Sequence, residues 1–221
     1  MGNQIIQRTG LAKTKAVADV VFCFDCTGSM ASCIDHVKEY ANAFVTGLNA
    51  DQNTVIDWRM RAVGYGDLEI GEQMQLGNEF VSTVPEFQAQ LAGIKMCYGG
   101  DADESTLDAI VTTALTTKWR KAHKIIVVFT DAKTKPLHPS TKTTFAVNGM
   151  EDLKARLAEA HIKLFLWGPA DPNYKELMAL PQAEITELAD PKQDYLNENK
   201  MEKLLELMGK TVSATTGSEV L

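Results

Sequence analysis

FCFDCTGSM, residues 22–30, is an apolar run that breaks off on three oxygen-bearing side chains at alternate positions, Asp25, Thr27 and Ser29. The run starts upstream, because VADVVFCF (17–24) is almost continuously apolar, as expected of a strand buried on both faces of a parallel sheet. A helix follows directly. Ile34, Val37, Ala41, Phe44, Val45 and Leu48 recur at helical spacing over 30–49 and give one stripe to pack on that sheet.

The same alternation continues outward. DWRMRAVGYGD (57–67) reads as a strand with one more exposed face, and EFVSTV (79–84) as a short strand. PEFQAQLAGIK (85–95) opens a helix on Pro85. A helix from Glu104 carries Leu107, Ile110, Val111, Ala114, Leu115 and Trp119, and KIIVVFTDA (124–132) is again an apolar strand ending on an acid, Asp131. Then come a helix over 149–160, the strand IKLFLWG (162–168), a helix near NYKELMAL, a short strand AEITELA and a last helix around MEKLLELMGKTV.

Strands alternating with helices predict a Rossmann-like, doubly wound α/β fold, its mostly parallel central sheet flanked by helices on both faces. The expected organisation is an N-terminal extension (1–15), a single domain (16–213) and a C-terminal tail (214–221), with SATTGSEVL frayed and 133–148 a long polar loop. No Pro/Gly/Ser-rich linker or internal repeat divides the chain.

The 221 residues, 45% apolar, suffice for one core, and a net charge of −7 argues against nucleic-acid binding. The first residues lack the apolar core of a signal peptide and no stretch is long enough to cross a bilayer, so a cytoplasmic protein without membrane attachment is expected. Myristoylation at Gly2 wants Ser or Thr where Ile6 stands. Cys23, Cys26, Cys33 and Cys97 have neither a second CxxC nor histidines at ligand spacing, which favours reduced, mostly buried thiols over zinc or redox chemistry.

In such a sheet ligands gather outside the carboxyl ends of the strands. Asp25, Asp131 and, in the loop before the Glu104 helix, Asp101 are all expected there. Clustered carboxylates repel unless a cation compensates, and Mg²⁺ takes such hard oxygen ligands, with Mn²⁺ or Ca²⁺ as substitutes. Gly28 relieves the turn that aims Asp25, Thr27 and Ser29 inward.

DCTGSM resembles the DxSxS/DxTGSM signature of von Willebrand factor type A domains, which carry a metal-ion-dependent adhesion site (MIDAS) in a Rossmann-like fold. EFQAQLAGIKMCYGGDADES and VVFTDA follow in the family's order, so the resemblance spans nearly the whole chain. It implies metal-binding oxygens at Asp25, Thr27 and Ser29 and an acid acting through water at Asp131. Asp101 stands where many members have a threonine ligand, and GGDADE is similar to a GGxDxPE variant of intracellular and bacterial members. The function implied is a divalent-cation-dependent adaptor or scaffold whose protein partner completes the metal shell with a carboxylate.

Simpler readings stand beside these. Asp25, Thr27 and Ser29 could cap the following helix; Asp103 and Glu104 read as a solvated helix start, Asp67 as a turn residue, and KTKPLHPSTK as a solvated basic loop. Trp58, Trp119 and Trp167 read as core aromatics. The enzymatic alternative is a haloacid-dehalogenase-like phosphohydrolase with Asp25 as nucleophile, but its general acid belongs two residues on, where Thr27 stands. No P-loop is present, so no catalytic residue is assigned.

Overall fold

The computed structural model describes residues 14–51 and 54–218. Five parallel strands form the central sheet in the order β2-β1-β4-β6-β7: β1 (Thr14–Asp25), β2 (Thr54–Tyr65), β4 (His123–Phe129), β6 (Ile162–Gly168) and β7 (Ala183–Glu187). Two-residue strands β3 (Asp103–Glu104) and β5 (Lys133–Thr134) pair separately above the carboxyl edge.

β1 lies between β2 and β4, and its alternate side chains enter two different cores. Val20, Phe22 and Phe24 pack with α1 (Ala31–Leu48), α2 (Val84–Ala92) and the C-terminal helices, whereas Val21 and Cys23 pack with α3 (Thr106–Thr116) and α5 (Met150–Glu159). That double burial is why the strand sequence is continuously apolar. Phe24 stacks on Phe129 at 5.2 Å, and Phe129 meets Trp167 edge-on at 5.0 Å, tying three strands together on one face.

Four expectations change. EFVSTV is not a strand: it touches β2 through a single antiparallel bridge, Met60 to Val81. The side chains of Gln90 and Asn78 take the backbone N–H and C=O of Ala62 instead, so the edge is satisfied without a ladder. The 133–148 stretch holds β5 and α4 (Pro139–Phe145), pinned by buried Leu137 and Val147. α3 stops at Thr116, leaving Trp119 outside it with its indole N–H donating to the Ala114 carbonyl. The final helix, α8 (Glu198–Ser218), continues into the segment expected to fray; 219–221 and 1–13 lie outside the described residues. Short helices α6 (Pro172–Leu177) and α7 (Pro191–Leu196) each begin with proline behind an aspartate cap, Asp171 and Asp190.

Trp167 is buried, and Trp58 and Trp119 are partly buried against the two cores. The four cysteines are free, three of them buried. No described helix is long and apolar enough to cross a membrane.

α8 packs along α1 through two facing glycines. A Cβ on Gly47 would sit 2.1 Å from the Glu206 carbonyl oxygen, and one on Gly209 would sit 2.1 Å from that of Phe44. Gly209→Ala therefore forces the helices apart and is expected to cost about 1–3 kcal/mol in denaturant unfolding, while Gly77→Ala, in open space, leaves the midpoint within error.

Candidate functional site

β1 delivers Asp25 fully buried to the carboxyl edge. Asp25 Oδ1 accepts from the Thr27 N–H at 2.9 Å and from Thr27 Oγ1 at 2.7 Å, and Oδ2 accepts from Thr130 Oγ1 at 3.0 Å. Thr27 Oγ1 lies 3.3 Å from Ser29 Oγ, and Gly28 and Ser29 face solvent. Asp25, Thr27 and Ser29 thus step from the core to the surface.

They do not cap the helix. The N-cap of α1 is Met30, and neither it nor Thr27 at the preceding short 3-10 turn makes a side-chain capping bond. The oxygens are committed to each other and to the edge.

Two further acids border this group. Asp131, just beyond β4, is half-buried, and its Oδ2 is buried without a hydrogen-bond partner. Glu104 is 2% exposed, and its Oε2 is likewise buried and unpartnered. Read from sequence as a solvated helix start, Glu104 is instead turned inward by the β3–β5 pairing. The Gly99 turn joins it to Thr27, since a Cβ on Gly99 would fall 3.1 Å from Glu104 Oε1 and 3.2 Å from Thr27 Cγ2. Gly99 also has φ +68, a region that glycine alone enters freely.

Burial, with the Asp131 charge beside it, pushes Asp25 up to about 6 against hydrogen bonds from Thr27 and Thr130. Burial and the charges of Asp25, Asp67 and Glu72 push Glu104 up to about 8, with Lys135 opposing. Buried carboxylate oxygens without donors, beside two hydroxyls, form a hard-oxygen set, and Mg²⁺ or a similar cation fits it. Among the described residues, no three His, Cys, Asp or Glu side chains come together as a metal cluster.

Asp101 goes elsewhere. It is exposed, its Oδ1 accepts from the Asp103 N–H at 3.0 Å, and its Oδ2 pairs with Lys135 Nζ at 3.2 Å. These contacts, the Asp103 bond first, lower its pKa. Lys135, expected in a solvated loop, is buried and also binds Asp67 at 2.7 Å and Glu69 at 3.0 Å. Asp67 is more than a turn residue: it is fully buried and accepts from the Glu69 N–H. Glu72 ties the neighbouring loop, its carboxylate accepting from the N–H groups of Asp67, Tyr98 and Gly99.

Sequence reasoning missed Glu104, Thr130, Glu72 and the inward lysine. Thr130 was legible as the hydroxyl before Asp131; the others depend on which way a short loop turns. The phosphohydrolase reading gains nothing here, because Thr27, at the position of its acid, donates to Asp25.

A family model described as von Willebrand factor A domain matches residues 19–148. No curated protein matches the chain. Among solved structures, proximal thread matrix protein 1 from the mussel byssus is similar, with a TM-score of 0.56 and 13% identity over 92% of this chain and 47% of that one. The chain thus spans about half the length of that protein, and the likeness is one of fold.

Proposed function

The chain belongs to the von Willebrand factor A domain family, whose members are generally non-enzymatic protein-interaction modules, and from that premise we propose that it binds a protein partner in a divalent-cation-dependent way at the Asp25 edge. The observation that carries this reading is the pair of buried, unpartnered carboxylate oxygens on Glu104 and Asp131 beside Asp25, Thr27 and Ser29. Leaving carboxyl oxygens buried without partners is costly unless a ligand repays it. When bound, a cation of the Mg²⁺ class offers an open coordination position to a partner's oxygen.

Asp25 and Asp131, the acids at the two strand ends, supply the charge that holds the ion, and Glu104 borders it. Thr27 and Ser29 supply neutral oxygens at the solvent side, and Thr130 holds Asp25 in place. Asp101 acts through Lys135, fixing the loop that carries Glu104. Acids close around a divalent ion offset part of its charge, so a partner carboxylate gains less from it than at a centre with a threonine in place of an acid. The remaining affinity comes from an apolar rim: Tyr98 is 100% exposed and Ile70 53%, on either side of the Gly99–Gly100 turn.

The test is affinity capture from the native host, with Mg²⁺ and with EDTA, using wild type and Asp25→Ala. A partner retained only by wild type in Mg²⁺ supports the reading, and identical capture in all four arms sinks it. With the partner in hand, Tyr98→Ala is expected to weaken binding at least tenfold, about 1.4 kcal/mol, while leaving the melting temperature unchanged.

A further inference from the structure

The amino edge of the sheet, opposite the Asp25 centre, carries a cavity of about 570 Å³ where the chain enters β4, β6 and β7. Arg120, Lys121, Lys124, His161 and Lys163 line it together with Gln182, and no acid is among its described lining residues. In a chain of net charge −7 this concentrates cationic groups in one concavity, where low-dielectric walls strengthen their field. Arg120 is anchored by Asp19 and Asp57, which fixes its position and takes part of its charge. Lys124 donates to the neutral Ala160 carbonyl at 3.0 Å.

Two details mark the cavity as more than a solvated basic face. His161 adopts φ 52 where α5 ends, a place helices usually give to glycine, so a strained residue is kept at the rim. Gln182 Oε1 is buried without a hydrogen-bond partner. An anion alone cannot satisfy that acceptor; a ligand with an N–H or O–H donor can.

We propose that this cavity binds a phosphorylated small molecule of nucleotide size, its phosphates on Lys121 and Lys124 and a hydroxyl or amino donor on Gln182. Volume argues for the class, since 570 Å³ falls in the range of small-molecule sites and far exceeds an inorganic phosphate. The cationic lining supplies the phosphate contacts, and the orphaned amide oxygen supplies the recognition of an organic portion.

Calorimetric titration in EDTA, which keeps divalent cations from the opposite edge, tests this with ATP, tripolyphosphate and adenosine. ATP is expected to bind, tripolyphosphate to bind more weakly and adenosine not to bind. Lys121→Glu combined with Lys124→Glu should weaken ATP at least tenfold, and Gln182→Leu should remove the preference for ATP over tripolyphosphate. His161→Gly should weaken ATP while preserving or raising the melting temperature, because glycine relieves the positive φ. Failure of both ATP and tripolyphosphate to bind at millimolar concentration, or ATP binding unchanged by the charge reversals, overturns the proposal.

Discussion

Asp25→Asn is expected to abolish the thermal stabilisation by Mg²⁺ while leaving the metal-free domain as stable as wild type, or more so. The amide keeps the shape of the carboxylate, and its oxygen can still accept from the Thr27 N–H and hydroxyl. The Thr130 hydroxyl can rotate to accept from the new amide N–H. What disappears is a buried negative charge beside Asp131, which burdens the fold when no cation is present. At a hundredfold excess over its dissociation constant, Mg²⁺ stabilises wild type by about 2.7 kcal/mol. In a domain of this size that raises Tm by about 5–10 °C. Glu104→Gln should behave alike, whereas Asp101→Asn should retain most of the response, since Asp101 faces Lys135. Differential scanning calorimetry in EDTA and then in excess MgCl₂ checks this; an equal Mg²⁺ response in wild type and Asp25→Asn would remove the metal from the account.

Asp19→Ala is expected to produce the largest loss of stability. Asp19 is fully buried in the middle of β1, and four donors reach its carboxylate: Arg59 Nε and Nη2 at 2.8 and 2.7 Å, and Arg120 Nε and backbone N–H at 2.8 Å each. Burial opposes its ionisation, but the arginine bonds prevail and hold its pKa below 3.8. Removing the anion strands Arg59, leaves Arg120 to Asp57 alone, and costs about 3 kcal/mol. This is the low end for a buried pair, because Arg59 and Arg120 keep 21% and 31% exposure and can rehydrate. Urea unfolding at pH 7 should show this loss. Because the folded pKa is depressed, the contribution is present above pH 3.8 and is lost as pH falls through the folded value. The gap between wild type and variant should therefore close in acid; a gap that persists unchanged well below pH 3.8 would show that the ion pair is not its source.

The candidate-site residues legible in sequence were those whose position follows from a strand ending. Asp25 and Asp131 lie at or just beyond the carboxyl ends of β1 and β4, and any parallel sheet brings neighbouring strand ends together. Thr27 and Ser29 follow from the same turn. Glu104 did not, because GGDADES permits its acids to point either way. The direction is decided when Asp103 and Glu104 pair with Lys133 and Thr134, a contact between segments that no local pattern encodes. Lys135 illustrates the same limit: beside prolines and other polar residues it reads as solvated, yet Asp67, Glu69 and Asp101 surround it.

Periodicity and strand endings in the sequence alone therefore determined the doubly wound fold, the edge where the site lies, and the alternation of Asp25, Thr27 and Ser29, since all of these depend on near neighbours along the chain. Tertiary structure decided what depends on distant segments meeting: that Glu104 faces Thr27 across Gly99 while Asp101 turns to Lys135, that Asp19 pairs with two arginines, and that cations from two strand entrances and Gln182 from a third share one cavity at the opposite edge. The physical reason is that burial and charge pairing are set by what surrounds a side chain in space, and a loop's local sequence leaves that open.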